Sequence, residues 1–165
     1  MPASYFMGDL HLNHKRILEF RTGYGNTVEE HDEIILDKIN STVRPKDKLY
    51  IVGDAAFGRE GAEKLSRILC RNIDLVMGNH DNQYTIPYFN KIYGLCANFK
   101  DFWLQHAPIH ERSLRGIYCV HGHTHYKSVE DSRYLCVSVE QCDGIPMSID
   151  QVRERLEDQN SYHGS

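Results

Sequence analysis

Apolar runs that stop at a glycine recur along this chain. Leu75-Val76-Met77 leads into Gly78-Asn79-His80-Asp81, so three polar, metal-capable side chains follow the glycine without a gap. Such a run reads as a buried strand and the glycine as the turn at its end. Lys48 to Val52 has the same form before Gly53-Asp54, as does Ser4 to Met7 before Gly8-Asp9-Leu10-His11. Helical patterns lie between them. Thr27, with Glu30 three residues on, has the form of a capping box, and Val28, Ile35, Ile39 and Val43 mark one apolar face that Pro45 ends. A short helix is expected from Lys15 to Phe20, with His14 at its start, and another after Phe57-Gly58 with Leu65, Ile68 and Leu69 inward. Strand–glycine units alternating with helices predict an α/β layered fold.

Downstream, Phe102 to Gln105 reads as a strand delivering His106. Ile117 to Val120 is a strand ending in His121-Gly122-His123-Thr124-His125, and Tyr134 to Val139 is a further one. The aromatics between Ile86 and Leu104 are assigned to core and strand packing. Ser148 and Gln151 cap a last helix with Ile149, Val152 and Leu156 inward. Residues from Gln159 are expected to be disordered, which makes residues 1–158 a single domain and 159–165 a flexible tail. Glu29, Glu30, Asp32, Glu33 and Asp37 read as a solvated helix face that also matches the helix dipole.

Composition narrows the class. The 165 residues are 41% hydrophobic and carry a net charge of -4, with no lysine/arginine run. An extended nucleic-acid surface is therefore not expected, because non-specific affinity comes from neutralising phosphates. No apolar stretch approaches the ~18 residues of a membrane span, and Gly8-Asp9 arrives too early to leave room for a signal peptide. A cytoplasmic location is expected. The five cysteines form no C-x-x-C pair, which argues against a disulfide framework, and Cys119 and Cys136 read as buried hydrophobes.

The ten histidines change the picture most. They bunch at His11/His14, His80, His106/His110 and His121/His123/His125, beside strand-end carboxylates. Asp9 and His11, two apart, face the same side if the strand conformation persists. Asp9, His11, Asp54, Asn79, His80, His106, His123 and His125 mix carboxylate, amide and imidazole, a set suited to Mn²⁺, Fe²⁺ or Zn²⁺. They are too many for one ion, whereas two ions about 3.5–4 Å apart with a bridging carboxylate would use them all.

The ordered set D-x-H, G-D, G-N-H-[DE], an isolated histidine and G-H-x-H resembles that of the calcineurin-like metallophosphoesterases, over roughly residues 4–150. Asp9-x-His11-x-x-His14, Gly122-His123-Thr124-His125 and Val137-Ser138-Val139-Glu140 narrow the resemblance to small uncapped phosphoesterases of bacteria and their viruses. The resemblance implies a layered sandwich of two mostly mixed β-sheets flanked by helices. It implies that Asp9, His11 and His125 hold one metal, that Asn79, His106 and His123 hold the other, and that Asp54 bridges them. His80 would be the general acid, with Asp81 a candidate for orienting it. The implied activity is hydrolysis of phosphate mono- or diesters by a metal-activated hydroxide. Mn²⁺ is the expected ion, with Fe, Zn or Ni as alternatives, and the substrate is a small phosphate ester of nucleotide type.

The second motif departs from that of the protein phosphatases of this superfamily. Asp54-Ala55-Ala56-Phe57-Gly58 lacks the later aspartate and arginine of G-D-x-x-D-R-G, so a phosphoprotein phosphatase is not expected. No segment is left over for a substrate-selecting cap or a DNA-binding extension. His14, Arg59, Arg112 and Arg115 are candidate phosphate contacts, and Phe57, Tyr84 and Tyr126 candidate stacking residues. His121 reads equally as a supporting hydrogen-bond donor or a packing residue. The alternative function is a catalytically weak scaffold of the same fold, expected to show gaps among the ligands. A histidine-rich metal store would not need glycine-bounded strand ends.

Overall fold

The computed structural model describes the backbone of residues 1–163 and the side chains of residues 1–161. Two mixed sheets face each other. The first has strand order β4-β3-β2-β1-β9, from β1 (Ser4–Met7), β2 (Lys48–Val52), β3 (Asn72–Val76), β4 (Lys91–Tyr93) and β9 (Met147–Ser148). The second has order β5-β6-β7-β8, from β5 (Cys96–Asn98), β6 (Phe102–Gln105), β7 (Tyr118–His121) and β8 (Tyr134–Cys136). Only β9 and β5 run antiparallel to their neighbours. Parallel neighbours require crossovers. Helix α1 (Val28–Thr42) lies between β1 and β2, and α2 (Gly58–Lys64) between β2 and β3. Parallel strands covered on both faces have few polar positions, and β1 to β3 are mostly apolar, with the buried Asp74 of β3 paired to Lys48 of β2.

The parallel arrangement fixes where chemistry can occur. β1, β2 and β3 all end at one edge of their sheet, and β6 and β7 end together in theirs, so the glycine-bounded loops gather in one crevice. Backbone bonds join the sheets there: Gly8 N donates to Val137 O at 2.8 Å, and Val139 N to Gly8 O at 3.1 Å. Between the sheets, the fully buried Phe6 stacks on Tyr50 (5.2 Å between centroids) and meets Phe99 and Phe102 edge-on at 5.5 and 5.8 Å. The aromatics of the middle segment therefore do pack the core.

Several expected boundaries move. The helix expected over Lys15 to Phe20 is a 3₁₀ turn, Ile17–Glu19, in which only Ile17 is buried; one apolar anchor does not hold a longer helix. α2 gives way to a second 3₁₀ turn, Leu65–Arg67, and the chain turns extended at Ile68. The helical register is lost there, so Leu69 faces solvent instead of the core. α3 (Ile149–His163) continues past the expected end of the domain at residue 158. Asn160 holds it there, donating to the Tyr118 hydroxyl at 2.8 Å and accepting from Ser132 Oγ at 3.1 Å. Of the expected tail, Gly164 and Ser165 lie outside the described residues. Thr27 Oγ1 accepts from Glu30 N at 3.1 Å, but the Glu30 carboxylate takes the Asn26 amide, so the box is half made. Ser148 and Gln151 make both halves. Asp32 is not on a solvated face: it is 1% exposed.

Phe6 fills the space between the sheets, stacked on Tyr50 and met edge-on by Phe99 and Phe102. Phe6→Ala should cost about 3–5 kcal/mol of unfolding free energy, read as a lower urea midpoint at unchanged m-value. A shift below about 1 kcal/mol would mean that the sheets close without it.

Candidate metal centre

The ligand-bearing loops are not continuations of their strands. Asp9, His11 and Asn13 have φ of 59, 53 and 61°, and Asp54, His123 and His125 have 51, 68 and 51°. Left-handed conformations in residues other than glycine cost of order 1 kcal/mol each and persist only where the surroundings over-determine them. Here the loops pair with one another: Asp9 N donates to Gly53 O at 3.0 Å, His11 N to Asp54 O at 3.0 Å and Leu12 N to Ala55 O at 3.1 Å. Asp9 and His11 thus converge by loop curvature, not by the strand alternation expected of them. Two glycines allow the close approach. A Cβ on Gly78 would overlap the Asp54 carboxylate, and one on Gly122 would sit 2.5 Å from Asp9 Oδ2.

Two groups of donors result. Asp9, His11 and His125 bring their ligand atoms within 4.8 Å of one another, and so do Asp54, His106 and His123. Asp54 Oδ2 reaches both groups, lying 3.7 Å from His11 Nε2 and 3.4 Å from His106 Nε2. Asn79 Oδ1 is 3.1 Å from His106 Nε2, which places the amide in the second group. Each aspartate has one oxygen occupied and one available. Asp9 Oδ2 accepts from Ser138 Oγ (2.7 Å) and His123 N (2.9 Å), while Oδ1 faces His11 and His125 at 3.7 and 3.6 Å with no hydrogen bond. Asp54 Oδ1 accepts from His80 N at 2.9 Å. Both ring nitrogens of buried His11 are also without a hydrogen bond. Unsatisfied buried atoms are rare, and the oxygen and imidazole donors left open here are of the kind that would hold divalent cations.

Charge follows the same layout. Burial alone pushes the Asp9 carboxyl up, but the His11, His125 and His106 imidazoles and the Ser138 hydroxyl outweigh it and hold it at about 2. Burial pushes His106 down, and the adjacent Asp54 carboxylate more than reverses this, raising it to about 9. For His11 burial wins over Asp9 and Asp54, and its pKa falls. His106 Nδ1 donates to Val52 O at 2.9 Å and His125 Nδ1 to Glu140 Oε1 at 2.9 Å, which turns each Nε2 toward the crevice.

A buried polar chain behind the ligands has no counterpart in the sequence reading. Glu140 Oε1 accepts from Arg21 Nη2 and Nε at 2.7 and 2.9 Å. Arg21 also donates to Asp9 O and Leu10 O and meets His31 Nε2 at 2.9 Å. His31 Nδ1 donates to Asp32 Oδ1 at 2.8 Å, and Asp32 Oδ2 accepts from Asn13 N at 2.9 Å and from Lys64. The chain thereby grips the left-handed loop at residues 9, 10 and 13. Of its members, Glu140 stands in a segment that bears only on the family resemblance, Asp32 reads in sequence as part of a solvated helix face, and Arg21 and His31 carry no local pattern.

His80 presents an imidazole 46% exposed, with Nε2 3.9 Å from Asp54 Oδ2 and its ring 4.8 Å from that of Phe57. Asp81 does not orient it. Its carboxylate turns the other way and accepts from the amides of Asp54 (2.8 Å), Ala55 (3.0 Å) and Gly78 (2.8 Å). Consecutive side chains point apart, so Asp81 instead fixes the backbone that carries Asp54. Burial raises its pKa, and the three amides pull it partly back.

The other candidates separate. Phe57 is wedged between imidazoles, 4.3 Å from the His14 ring and 5.2 Å from that of His11. Arg59 lies over Tyr84 at 5.4 Å, and Arg112 N donates to His110 Nδ1. His121 is buried, with Nδ1 bonded to Gly122 O at 2.7 Å. A cavity of about 570 Å³ opens on His11, His14, His123 and His125 and takes in Phe20 and Tyr126. A second, of about 470 Å³, opens on Asn79, His106 and His123. Arg59, Arg112 and Arg115 line neither.

Comparison with known proteins agrees with this geometry. A family model described as calcineurin-like phosphoesterase matches residues 4–155. An uncharacterised protein of Methanocaldococcus jannaschii is 27% identical over 95% of this chain and 93% of its own length. A solved structure of an Aquifex aeolicus protein of unknown function superposes with a TM-score of 0.76 at 25% identity, covering 93% of this chain and 99% of that one. A nuclease of Pseudomonas putida superposes with a TM-score of 0.52 at 19% identity, over 74% of this chain and 61% of its own, and shares the fold.

Two substitutions probe the support of the ligands. Glu140→Ala should weaken Mn²⁺ binding about 10- to 100-fold in a calorimetric titration, as expected when the hydrogen-bond partner of the His125 imidazole is lost. Asp81→Asn should cost about 1–3 kcal/mol in denaturant unfolding, because an amide nitrogen would then face a buried backbone N–H. Wild-type behaviour of either variant would contradict its assigned contacts.

Proposed function

The chain belongs to the calcineurin-like phosphoesterase family, a family of metal-dependent phosphoester hydrolases, and from that premise we propose a dinuclear phosphodiester hydrolase acting on small nucleotide-type esters. The observation that carries the reading is the paired donor set. Two groups lie side by side, with Asp54 Oδ2 of the second 3.7 Å from His11 Nε2 of the first, and within each group an aspartate is held by the protein through one oxygen and offers the other.

Asp9, His11 and His125 would hold one ion, Asn79, His106 and His123 the other, with Asp54 between them. Mixed oxygen and imidazole donors suit Mn²⁺, with Fe, Zn or Ni as competitors. When bound, two such ions supply a nucleophile from water at neutral pH and positive charge that holds phosphate. Asp9 stays ionised at every physiological pH, with its pKa near 2. Val52 O and Glu140 keep His106 and His125 aimed with Nε2 inward. His80 is the general acid: its Nε2 proton passes to the leaving oxygen, the Asp54-bound backbone sets its position, and Phe57 backs its ring. His14, stacked on Phe57 at 4.3 Å and lining the cavity beside His11, is a phosphate or sugar contact.

The two cavities favour a diester. They open on opposite ligand groups and share His123, which leaves room for a substituent on each side of a central phosphate. The Pseudomonas putida relative of this fold is a nuclease, which supports a nucleotide ester; the net charge of -4 supports a small one. Among the described residues no helix is long and apolar enough to cross a membrane. Five free cysteines fit a reducing cytoplasm.

Protein loaded with Mn²⁺ should hydrolyse bis-p-nitrophenyl phosphate. His80→Ala should lower kcat by about 10²–10⁴ while two ions per chain remain bound. Metal-loaded protein inert across a panel of mono- and diesters would reject the reading. If the variant lost its metal, His80 would be a ligand instead of the acid.

A further inference from the structure

Building on the phosphoesterase reading, we propose that the cavity of about 570 Å³ beside Asp9, His11 and His125 is a nucleobase subsite walled by Phe20 and Tyr126. Both rings line this cavity together with the ligand imidazoles, and both are more than half exposed, Phe20 at 57% and Tyr126 at 56%. Arg16 lies over the Phe20 ring at 5.8 Å, and the Tyr126 ring stands at the mouth of the charged centre, where a flat ligand can stack on it. Behind them Ile17, 2% exposed, closes the floor. His14 adds a third flat face, held rigid by stacking on Phe57 at 4.3 Å.

The chemistry of the walls selects the occupant. One end of the cavity is a cluster of imidazoles and carboxylates that takes phosphate; the other is aromatic. A ligand that satisfies both ends is anionic at one and flat and apolar at the other. An alkyl ester would match the apolarity but would make no use of ring faces. A purine or pyrimidine presents a π-face to Phe20 and Tyr126, and every base can stack this way. Lys127 and Thr124 line the same cavity and supply donors for base carbonyls or sugar hydroxyls. The volume lies within the 300–1,000 Å³ typical of small-molecule sites. With no basic run to track a polyphosphate backbone, the occupant is the base of a mononucleotide or dinucleotide ester. The stacking candidates named from the sequence are thereby reduced to Tyr126, because neither Phe57 nor Tyr84 lines this cavity.

The test compares two esters with the same leaving group, thymidine 5′-(p-nitrophenyl phosphate) and its base-free counterpart carrying hydrogen at C1′. Full-length, Mn²⁺-loaded protein should favour the base-bearing ester by about ten- to a hundred-fold in kcat/KM, mostly through KM. Phe20→Ala and Tyr126→Ala should each shrink that ratio several-fold, whereas Phe20→Tyr and Tyr126→Phe should preserve it. A ratio near one in the unmodified protein, or a ratio that neither alanine changes, overturns the subsite while leaving the phosphoesterase reading in place. If neither ester is hydrolysed while bis-p-nitrophenyl phosphate is, the subsite falls and the phosphoesterase reading stands; if none of the three is hydrolysed, both fall.

Discussion

Everything at this centre depends on keeping two buried aspartates ionised side by side. Asp9 is 0% exposed and Asp54 2%, and burying bare carboxylates is costly unless donors or cations surround them. The protein solves this asymmetrically. Ser138 Oγ and the His123 amide hold one oxygen of Asp9, and the His80 amide holds one oxygen of Asp54. Those bonds orient the carboxylates and leave their second oxygens facing the imidazoles. A donor set with this much residual negative charge needs cations or protonated imidazoles beside it, and the Asp54 carboxylate correspondingly raises the pKa of His106 against the effect of burial.

The backbone serves the same constraint. Loops that carry several charged groups into contact cannot follow extended strands, which space side chains apart on alternate faces. Left-handed residues at Asp9, His11 and Asn13 tighten the first loop, and the pairing with Gly53 to Ala55 prevents it from relaxing. Asp81 and Arg21 anchor the two halves from behind. Asp81 gathers three amides of the Asp54 and Gly78 turns, and Arg21 ties Asp9 O and Leu10 O to Glu140. Strain at a functional site is thus offset by a hydrogen-bonded support that contains no ligand of its own.

The fold class and the family were legible because both rest on local patterns. An apolar run, a glycine and a metal-capable residue are contiguous, and their repetition in order needs no knowledge of distant contacts. Elements held by one or two tertiary contacts were not legible in the same way. The turn at Ile17–Glu19, the exposure of Leu69 and the extension of α3 through Asn160 all depend on what each segment meets across space. Asp32 is the clearest case, because five acidic residues on one helix look alike until His31, Lys64 and the Asn13 amide surround one of them.

By itself the sequence determined the ordered set of strand-end residues and the α/β layering, since hydrophobic period and glycine placement are properties of adjacent positions. Tertiary structure alone decided which side of each residue works: that Asp81 serves the backbone of Asp54 and not His80, that Glu140 aims His125, and that Phe20 and Tyr126 share a cavity. Hydrogen-bond direction and the meeting of side chains far apart in the chain have no signature in local spacing. They exist only once the parallel strands have brought their carboxyl ends to one crevice.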